Sequence, residues 1–221
     1  MQKNRISQPT LIYMYGIPGS GKSFVARQLS ENLGMAHVSS DRIRFELFEQ
    51  PKHDKTERQI VMQLMNFMTE QFLQAGVSVI YDISMNRIAE RKQLRELAHR
   101  YKAKELMLWL QIDVDSAWQR NSNRDKRKAD DKYSPALEQE VFDSYLRAMQ
   151  NPNNEEYLVL SGKHLFNSHK VAVYRRLSEL GVLTTDSSDA KVAKPELVNL
   201  VSRAQAQAGR VDYSRRNINI Q

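Results

Sequence analysis

Cysteine is absent from this sequence of 221 residues. Its absence excludes disulfide bonds, thiolate metal sites and a cysteine nucleophile, and it fits a reducing cytoplasm, where we expect the protein to lie. No apolar run approaches the roughly 18 residues that a membrane-spanning helix needs, so we expect no membrane partner. The five histidines show no metal-ligand spacing, and we expect them to be structural or superficial.

The composition is otherwise that of an ordinary globular protein, with 41% hydrophobic and 27% charged residues. The length allows one sizeable α/β domain with a small appendage. The formal net charge is +7, which exceeds what nucleotide binding alone requires. Charge by itself favours a polyanionic partner such as nucleic acid and a plain solvated surface about equally.

Residues 16–23 read Gly-Ile-Pro-Gly-Ser-Gly-Lys-Ser, which is the G-x-x-x-x-G-K-S spacing of a phosphate-binding P-loop. An apolar run typical of a strand precedes the motif, and a helical pattern follows it up to Gly34. Glycines let backbone N–H groups turn towards an anion, while the lysine and serine can serve the β- and γ-phosphates and Mg²⁺. The predicted nucleotide contacts in this motif are Gly16, Pro18, Gly19, Ser20, Gly21, Lys22, Ser23 and Phe24.

Asp41 follows the second predicted strand, at the edge of an open α/β sheet where ligands bind. A carboxylate there can accept the proton of an attacking hydroxyl, although it could also simply cap a helix. Arg44 is three residues further on, so it could hold either Asp41 or a substrate phosphate.

Asp82 closes the next predicted strand, residues 77–82. An acid in this position is typical of a Walker B strand, whose carboxylate contacts Mg²⁺ or its bound water. Arg91 lies in the first half of the helix after this strand. It could reach the substrate or pair on the surface, and we include it among the candidate substrate-binding residues.

A basic stretch follows the fourth strand, with six basic and three acidic residues between Arg120 and Lys132. In P-loop kinases a lid occupies this place and brings arginines onto the phosphates. We expect a lid over about residues 115–133, with Arg120 and Arg124 one helical turn apart and facing the nucleotide. The alternative is a solvated charged helix.

The alternation of five strands with helices predicts an α/β P-loop NTPase fold, with a mainly parallel five-stranded sheet flanked by helices and a helical lid. Ser134 and Pro135 are expected to start the helix after the lid. The domain should span residues 1–183, followed by a basic C-terminal extension over residues 184–221. The extension could be a nucleic-acid arm, a partner-binding segment or a strand packed on the domain.

Taken in order, the P-loop, Ser-Asp-Arg-Ile-Arg at 40–44, Ile-Tyr-Asp-Ile-Ser-Met-Asn at 80–86 and Arg-Asn-Ser-Asn-Arg at 120–124 resemble the polynucleotide-kinase-like branch of P-loop kinases. Members of this branch are often described as AAA-type ATP-binding proteins. The resemblance covers roughly residues 10–182. It implies transfer of the γ-phosphate of ATP, with Mg²⁺, to a 5′-hydroxyl.

The resemblance also implies roles for individual residues. Asp41 would be the general base, and Arg44 would bind the acceptor phosphate. Lys22 and Arg124 would stabilise the transferring phosphoryl group. Ser23 would bind Mg²⁺, and Asp82 would lie near the metal or the acceptor.

The identity of the acceptor stays open at this point. A polynucleotide 5′-hydroxyl is the first choice, yet the same motif order is similar to zeta-type toxins and to small-molecule kinases. The sequence also lacks the appended phosphatase domain of bifunctional relatives. A small-molecule or sugar-nucleotide kinase is therefore one alternative, and a nucleotide-dependent switch that binds a partner without transferring phosphate is another.

Overall fold

The computed structural model describes residues 5–124 and 133–184. Strands and helices alternate along most of this length. The strands are β1 (Arg5–Ile6), β2 (Thr10–Tyr15), β3 (Ala36–Ser39), β4 (Val79–Asp82), β5 (Lys104–Gln111), β6 (Tyr157–Ser161) and β7 (Leu183–Thr184). The helices are α1 (Lys22–Leu33), α2 (Ser40–Leu47), α3 (Lys55–Gln74), α4 (Ile88–Arg100), α5 (Val114–Ser122), α6 (Gln139–Arg147) and α7 (Phe166–Glu179).

Five strands form the central sheet in the order β3-β4-β2-β5-β6, and every neighbouring pair is parallel. The predicted α/β fold with a five-stranded sheet is thus confirmed. The carboxyl ends of β2, β3 and β4 lie side by side, since Ser39 is paired in register with Asp82. This edge is where open α/β sheets bind their ligands. A separate antiparallel pair, β1 with β7, was not predicted.

Each face of the sheet is covered by its own helices because side chains alternate along every strand. Ile12 and Met14 of β2 pack with α1 and α7, whereas Leu11, Tyr13 and Tyr15 of the same strand pack with α3 and α4. All six residues of β2 are buried, as expected for the centre of a parallel sheet. The central strand therefore holds the P-loop that follows it between two packed layers.

The helix after the predicted lid starts later than expected. Residues 134–138 are not helical, and α6 begins at Gln139. The Asn121 side-chain amide hydrogen-bonds both backbone polar groups of Leu137. It donates to the carbonyl oxygen at 2.9 Å and accepts from the N–H at 3.1 Å. Backbone groups held in this way by a side chain are unavailable to a helix.

Two predicted segments lie largely outside the described residues. They are the tip of the lid, residues 125–132, and nearly all of the C-terminal extension, including its basic tail. The boundary at residue 183 between domain and extension therefore stays a prediction. In residues 5–124 and 133–184, no helix is long and apolar enough to cross a membrane.

Candidate active site

The P-loop turn needs glycine for steric reasons. Gly19 has φ +79°, and a Cβ added there would lie 2.2 Å from the carbonyl oxygen of Ala117. Gly21 has φ +95° and occupies the N-cap position of α1, which has no side-chain cap and no acidic residue in its first turn. The N–H groups at the start of α1 are therefore available to an anion, and the positive end of the helix dipole favours one.

Lys22 is the charged residue of this turn. Its ammonium donates to the carbonyl oxygen of Ile17 at 2.7 Å. Desolvation lowers the pKa of Lys22 to about 8, although the negative charge of Asp82 opposes this shift. A triphosphate beside the ammonium would favour its charged form, because an opposite charge at close range stabilises it.

Ser23 and Asp82 place a hydroxyl and a carboxylate at the end of the P-loop. The Ser23 hydroxyl donates to Asp82 Oδ1 at 3.1 Å, and Asp82 is 3% exposed. No group of three or more histidine or acidic side chains that could hold a metal occurs in the described part of the chain. A serine hydroxyl and one carboxylate fit Mg²⁺, which usually takes its other ligands from waters and substrate phosphates.

His37, which was predicted to be structural or superficial, contacts Asp82. Its Nε2 lies 3.1 Å from Asp82 Oδ2, so Ser23 and His37 together occupy both oxygens of the carboxylate. This fixes the orientation of Asp82. Sequence inspection missed the contact because it depends on the pairing of β3 with β4.

Asp41 lies in the first turn of α2 and is not its cap. The cap is Ser39, whose hydroxyl accepts from the backbone N–H of Arg42. Arg44 Nη1 donates to Asp41 Oδ1 at 3.3 Å, and Arg44 Nε lies 3.7 Å from Glu57 Oε2. Arg44 is 4% exposed, so the group that binds the Asp41 carboxylate is a buried guanidinium.

The two arginines of the predicted lid line one cavity, and only Arg124 lies outside the helix on which both were expected. Arg120 is on α5 and donates to the carbonyl oxygen of Gly162 at 2.8 Å. Arg124 follows the end of α5, so the expectation that it shares a helical face with Arg120 is wrong. Its Nη1 donates to the carbonyl oxygens of Ser134 and Pro135 and to the Ser134 hydroxyl.

Two cavities meet beside the P-loop. The larger, of about 630 Å³, is lined by Gly19, Gly21, Phe24, Arg120 and Lys163 among others. The smaller, of about 80 Å³, is lined by Pro18, Asp41, Arg44, His53, Asp82 and Tyr145 among others. Four residues line both cavities: Lys22, Ser23, Arg124 and Ser134.

Most of the candidate residues therefore lie in one place. Pro18 belongs to the smaller cavity rather than to the predicted nucleotide side. Ser20 is buried beneath the loop. Phe24 lies in the wall of the larger cavity, with its ring edge-on to Phe166 at 6.2 Å between centroids.

Arg91 is the candidate that does not join the site. Its side chain is 0% exposed and donates to both carboxylate oxygens of Glu155, at 2.7 Å for the shortest contact. Nη1 donates to the carbonyl oxygen of Met85 at 2.8 Å, in the loop after β4. The expectation of a substrate contact is therefore wrong, and the pairing is internal rather than superficial.

Arg91 still affects the site indirectly, through the loop after β4. The loop that it holds contains Ser84, whose hydroxyl donates to the carbonyl oxygen of Gly16 at 2.6 Å. This bond ties the loop after β4 to the first residue of the P-loop. The buried ion pair thus helps to fix both the P-loop and the end of the strand that bears Asp82.

The site combines a P-loop that opens a helix, an acid at the end of the neighbouring strand and a basic segment after β5. These features define a nucleotide-binding protein of the P-loop kinase class. The sequence matches the family described as AAA domain over residues 11–152. This chain belongs to that family. The prediction of a P-loop kinase is thereby confirmed at the level of family and fold.

Several known proteins are similar to this chain. A shikimate kinase of Actinobacillus pleuropneumoniae serotype 5b is 22% identical over 205 residues, which cover 88% of this chain and 96% of that protein. A sugar kinase structure from Janibacter sp. HTCC2649 has a TM-score of 0.57 at 18% identity and covers 79% of this chain and 95% of its own. Chaetomium thermophilum Kti12, solved with ADP-AlF3, has a TM-score of 0.61 at 18% identity, with coverages of 80% and 100%.

Proposed function

We propose that this protein is an ATP- and Mg²⁺-dependent kinase that transfers the γ-phosphoryl group to a hydroxyl of a small molecule. The observation that carries the proposal is the junction of the two cavities at Lys22, Ser23 and Arg124. One cavity has the P-loop in its wall, and the other has Asp41. Transfer between two substrates requires such a junction, where the γ-phosphate of one meets the hydroxyl of the other.

Asp41 is the proposed general base. Its carboxylate takes the proton of the acceptor hydroxyl as that oxygen forms a bond to the γ-phosphorus. The bond between the γ-phosphorus and the β–γ bridging oxygen breaks, and ADP leaves with those electrons. Arg44 donates a hydrogen bond to the Asp41 carboxylate and holds it in place.

Lys22 and Arg124 are the proposed stabilisers of the transferring group, because both cations line both cavities. Ser23 and Asp82 are the residues that would hold Mg²⁺. When bound, Mg²⁺ neutralises phosphate charge as it develops. Such catalysis consists mainly of positioning and charge stabilisation, with a single base.

The similarity to a shikimate kinase and to a sugar kinase supports a small-molecule acceptor. A polynucleotide 5′-hydroxyl, the first choice from the sequence, rests on the overall charge and on the resemblance of motifs. A switch without kinase activity would use only the larger cavity. Location in the cytoplasm stays a prediction.

The test is transfer of labelled γ-phosphate from ATP to three offered acceptors: a pool of small metabolites, 5′-hydroxyl RNA and 5′-hydroxyl DNA. We expect transfer to the metabolite pool. In Asp41→Asn, transfer should fall by about 10²-fold or more because the base is lost, while ATP affinity is retained. Glu46→Gln, which alters an exposed acid on the same helix, is the matched control and should keep full activity.

Two results would contradict this proposal. Transfer to RNA or DNA with none to the metabolite pool would return the acceptor to the polynucleotide class. ATP binding without transfer to any hydroxyl would favour the switch. Full activity in Asp41→Asn would remove Asp41 as the base and leave the class of enzyme unchanged.

A further inference from the structure

The loop before α3 contributes His53 to the lining of the smaller cavity, and the buried carboxylate of Glu57 holds the backbone of this loop. Glu57 is 6% exposed. It accepts from the backbone N–H of Lys52 at 2.6 Å and from that of His53 at 2.8 Å. His53 has φ +56°, a left-handed conformation that histidine adopts more readily than most residues but that still needs support. The carboxylate provides this support.

His53 lines the smaller cavity, and its side chain carries a buried polar atom without a hydrogen-bond partner in the described part of the chain. Its ring lines the cavity beside Asp41 and Arg44. Nε2 is buried and has no hydrogen-bond partner among the described residues. A buried polar atom without a partner costs free energy, so its presence beside a cavity points to a ligand group that would complete it.

The surroundings of His53 favour the neutral form of its imidazole. Desolvation, together with the positive charge of Arg44, lowers the pKa of His53 below its usual value. Depending on the tautomer, a neutral imidazole nitrogen either donates or accepts a hydrogen bond. A hydroxyl group can do both, so it satisfies His53 in either tautomer.

The charge of this wall argues against an anionic acceptor. Arg44 lies between two carboxylates, 3.3 Å from that of Asp41 and 3.7 Å from that of Glu57. These three groups sum to −1. In the described part of the chain, the other cations in the smaller cavity are Lys22 and Arg124, and both also line the nucleotide cavity. Each described cation of the smaller cavity thus either lies beside carboxylates, as Arg44 does, or also lines the nucleotide cavity.

We propose that the acceptor is a neutral polyhydroxylated molecule, a sugar or a polyol, and that His53 Nε2 hydrogen-bonds one of its non-reacting hydroxyl groups. This inference rests on the proposed function. It makes Asp41 the residue for the reacting hydroxyl and His53 the residue that selects the acceptor. Glu57 acts through His53 and Arg44 and is a positioning residue.

The first experiment measures phosphate transfer by the full chain to three sets of acceptors. The sets are neutral sugars and polyols, aldonic acids and sugar phosphates of the same carbon number, and a 5′-hydroxyl oligonucleotide. We expect the best neutral acceptor to exceed its acid counterpart by about tenfold or more in kcat/KM, because the acid must face an uncompensated carboxylate. Preference for the acids or the oligonucleotide would overturn the inference, while transfer to the acids would leave the proposed small-molecule kinase intact.

The second experiment tests His53 with the best neutral acceptor. His53→Asn keeps a residue that tolerates the left-handed conformation but withdraws the imidazole. We expect the KM for the acceptor to rise about tenfold, with kcat and the KM for ATP within about twofold. A deoxy analogue that lacks the contacted hydroxyl should be about tenfold worse for the wild type and equal for the variant. Lys102→Asn, at a left-handed and exposed position elsewhere, is the control and should change nothing.

A merely structural role for His53 gives a different result. If the substitution only loosens the loop, kcat should fall because Asp41 and Arg44 are displaced. The wild type and the variant should then discriminate equally against every deoxy analogue. That result would overturn the role of His53. If no acceptor is phosphorylated, a ¹⁵N spectrum of the His53 imidazole with a non-hydrolysable ATP analogue and each polyol measures binding directly. An unchanged spectrum would overturn the inference, whereas a shifted one would support it and contradict only the proposed catalysis.

Discussion

The buried pair of Arg91 and Glu155 gives the sharpest test of the fold. Both side chains are essentially inaccessible, at 0% and 1% exposure. Arg91 Nε lies 3.1 and 2.9 Å from the two carboxylate oxygens, and Nη2 lies 2.7 Å from one of them. The substitution Glu155→Gln keeps the shape of the side chain but leaves the guanidinium buried without a counter-charge.

We expect Glu155→Gln to lower the free energy of unfolding by about 3–5 kcal/mol, the usual cost of removing one partner of a buried ion pair. This is a large share of the roughly 5–15 kcal/mol that stabilises a typical domain. Arg95 also pairs with Glu155 but is 25% exposed, so it can turn to solvent and adds little to the cost. Urea unfolding measures the effect. Glu96→Gln, in an exposed pair with Lys92 on the same helix, should cost less than about 1 kcal/mol.

The stability should also depend on pH in a defined direction. Burial alone would raise the pKa of Glu155, but hydrogen bonds and charge from Arg91 and Arg95 outweigh it and lower the pKa. The carboxylate therefore contributes its full stabilisation above its unfolded pKa of about 4.5 and loses it as the pH falls towards the lower folded value. Glu155→Gln should lack this part of the acid dependence.

The refuting result is equally specific. A loss of less than about 1 kcal/mol in Glu155→Gln would mean that Arg91 does not depend on this partner in the folded state. If Arg91→Met then raised the KM for the acceptor at unchanged stability, Arg91 would be a substrate residue after all. Loss of stability with unchanged KM would support the internal pairing.

Two further substitutions test the surroundings of the nucleotide cavity. Asn121→Ala removes both hydrogen bonds to Leu137 and leaves that backbone unsatisfied. We therefore expect the free energy of unfolding in urea to fall by about 1–3 kcal/mol and the KM for ATP to rise. An unchanged KM would mean that these hydrogen bonds do not affect nucleotide binding. Gly162→Ala brings a Cβ within 2.9 Å of the Ser20 carbonyl oxygen, so ADP affinity by calorimetry should fall about tenfold or more. Gly34→Ala, where a Cβ meets no atom within 4 Å but φ is +67°, should lower stability without weakening ADP binding, and equal weakening in both variants would contradict a local clash.

Sequence inspection predicted the parts of the site whose signals are local. The P-loop is a contiguous motif whose glycines follow from steric requirements, and the strand that precedes it is recognisable as an apolar run. Asp41 and Asp82 could be located because the first follows a predicted strand and the second ends one, and parallel strands bring their carboxyl ends to one edge. These placements need no knowledge of side-chain packing.

The contacts that the sequence concealed join distant segments. Arg91 and Glu155 are 64 residues apart, and nothing near Arg91 distinguishes an internal partner from a substrate. The start of α6 was predicted too early because Ser134 and Pro135 are good helix-starting residues. Side chains from the end of α5 bind that backbone instead, an interaction that local propensity cannot include.

Net charge alone does not identify the acceptor of a phosphoryl group. The excess of +7 is a sum over the whole chain, while recognition depends on the few charges that face the ligand. Arg44 contributes to the sum, yet the carboxylates of Asp41 and Glu57 compensate it at the wall of the smaller cavity. A basic protein can therefore present a neutral or acidic surface to one substrate and cations to the other. Such a partition suits a kinase, because only the triphosphate needs strong positive charge and an acceptor hydroxyl needs a base.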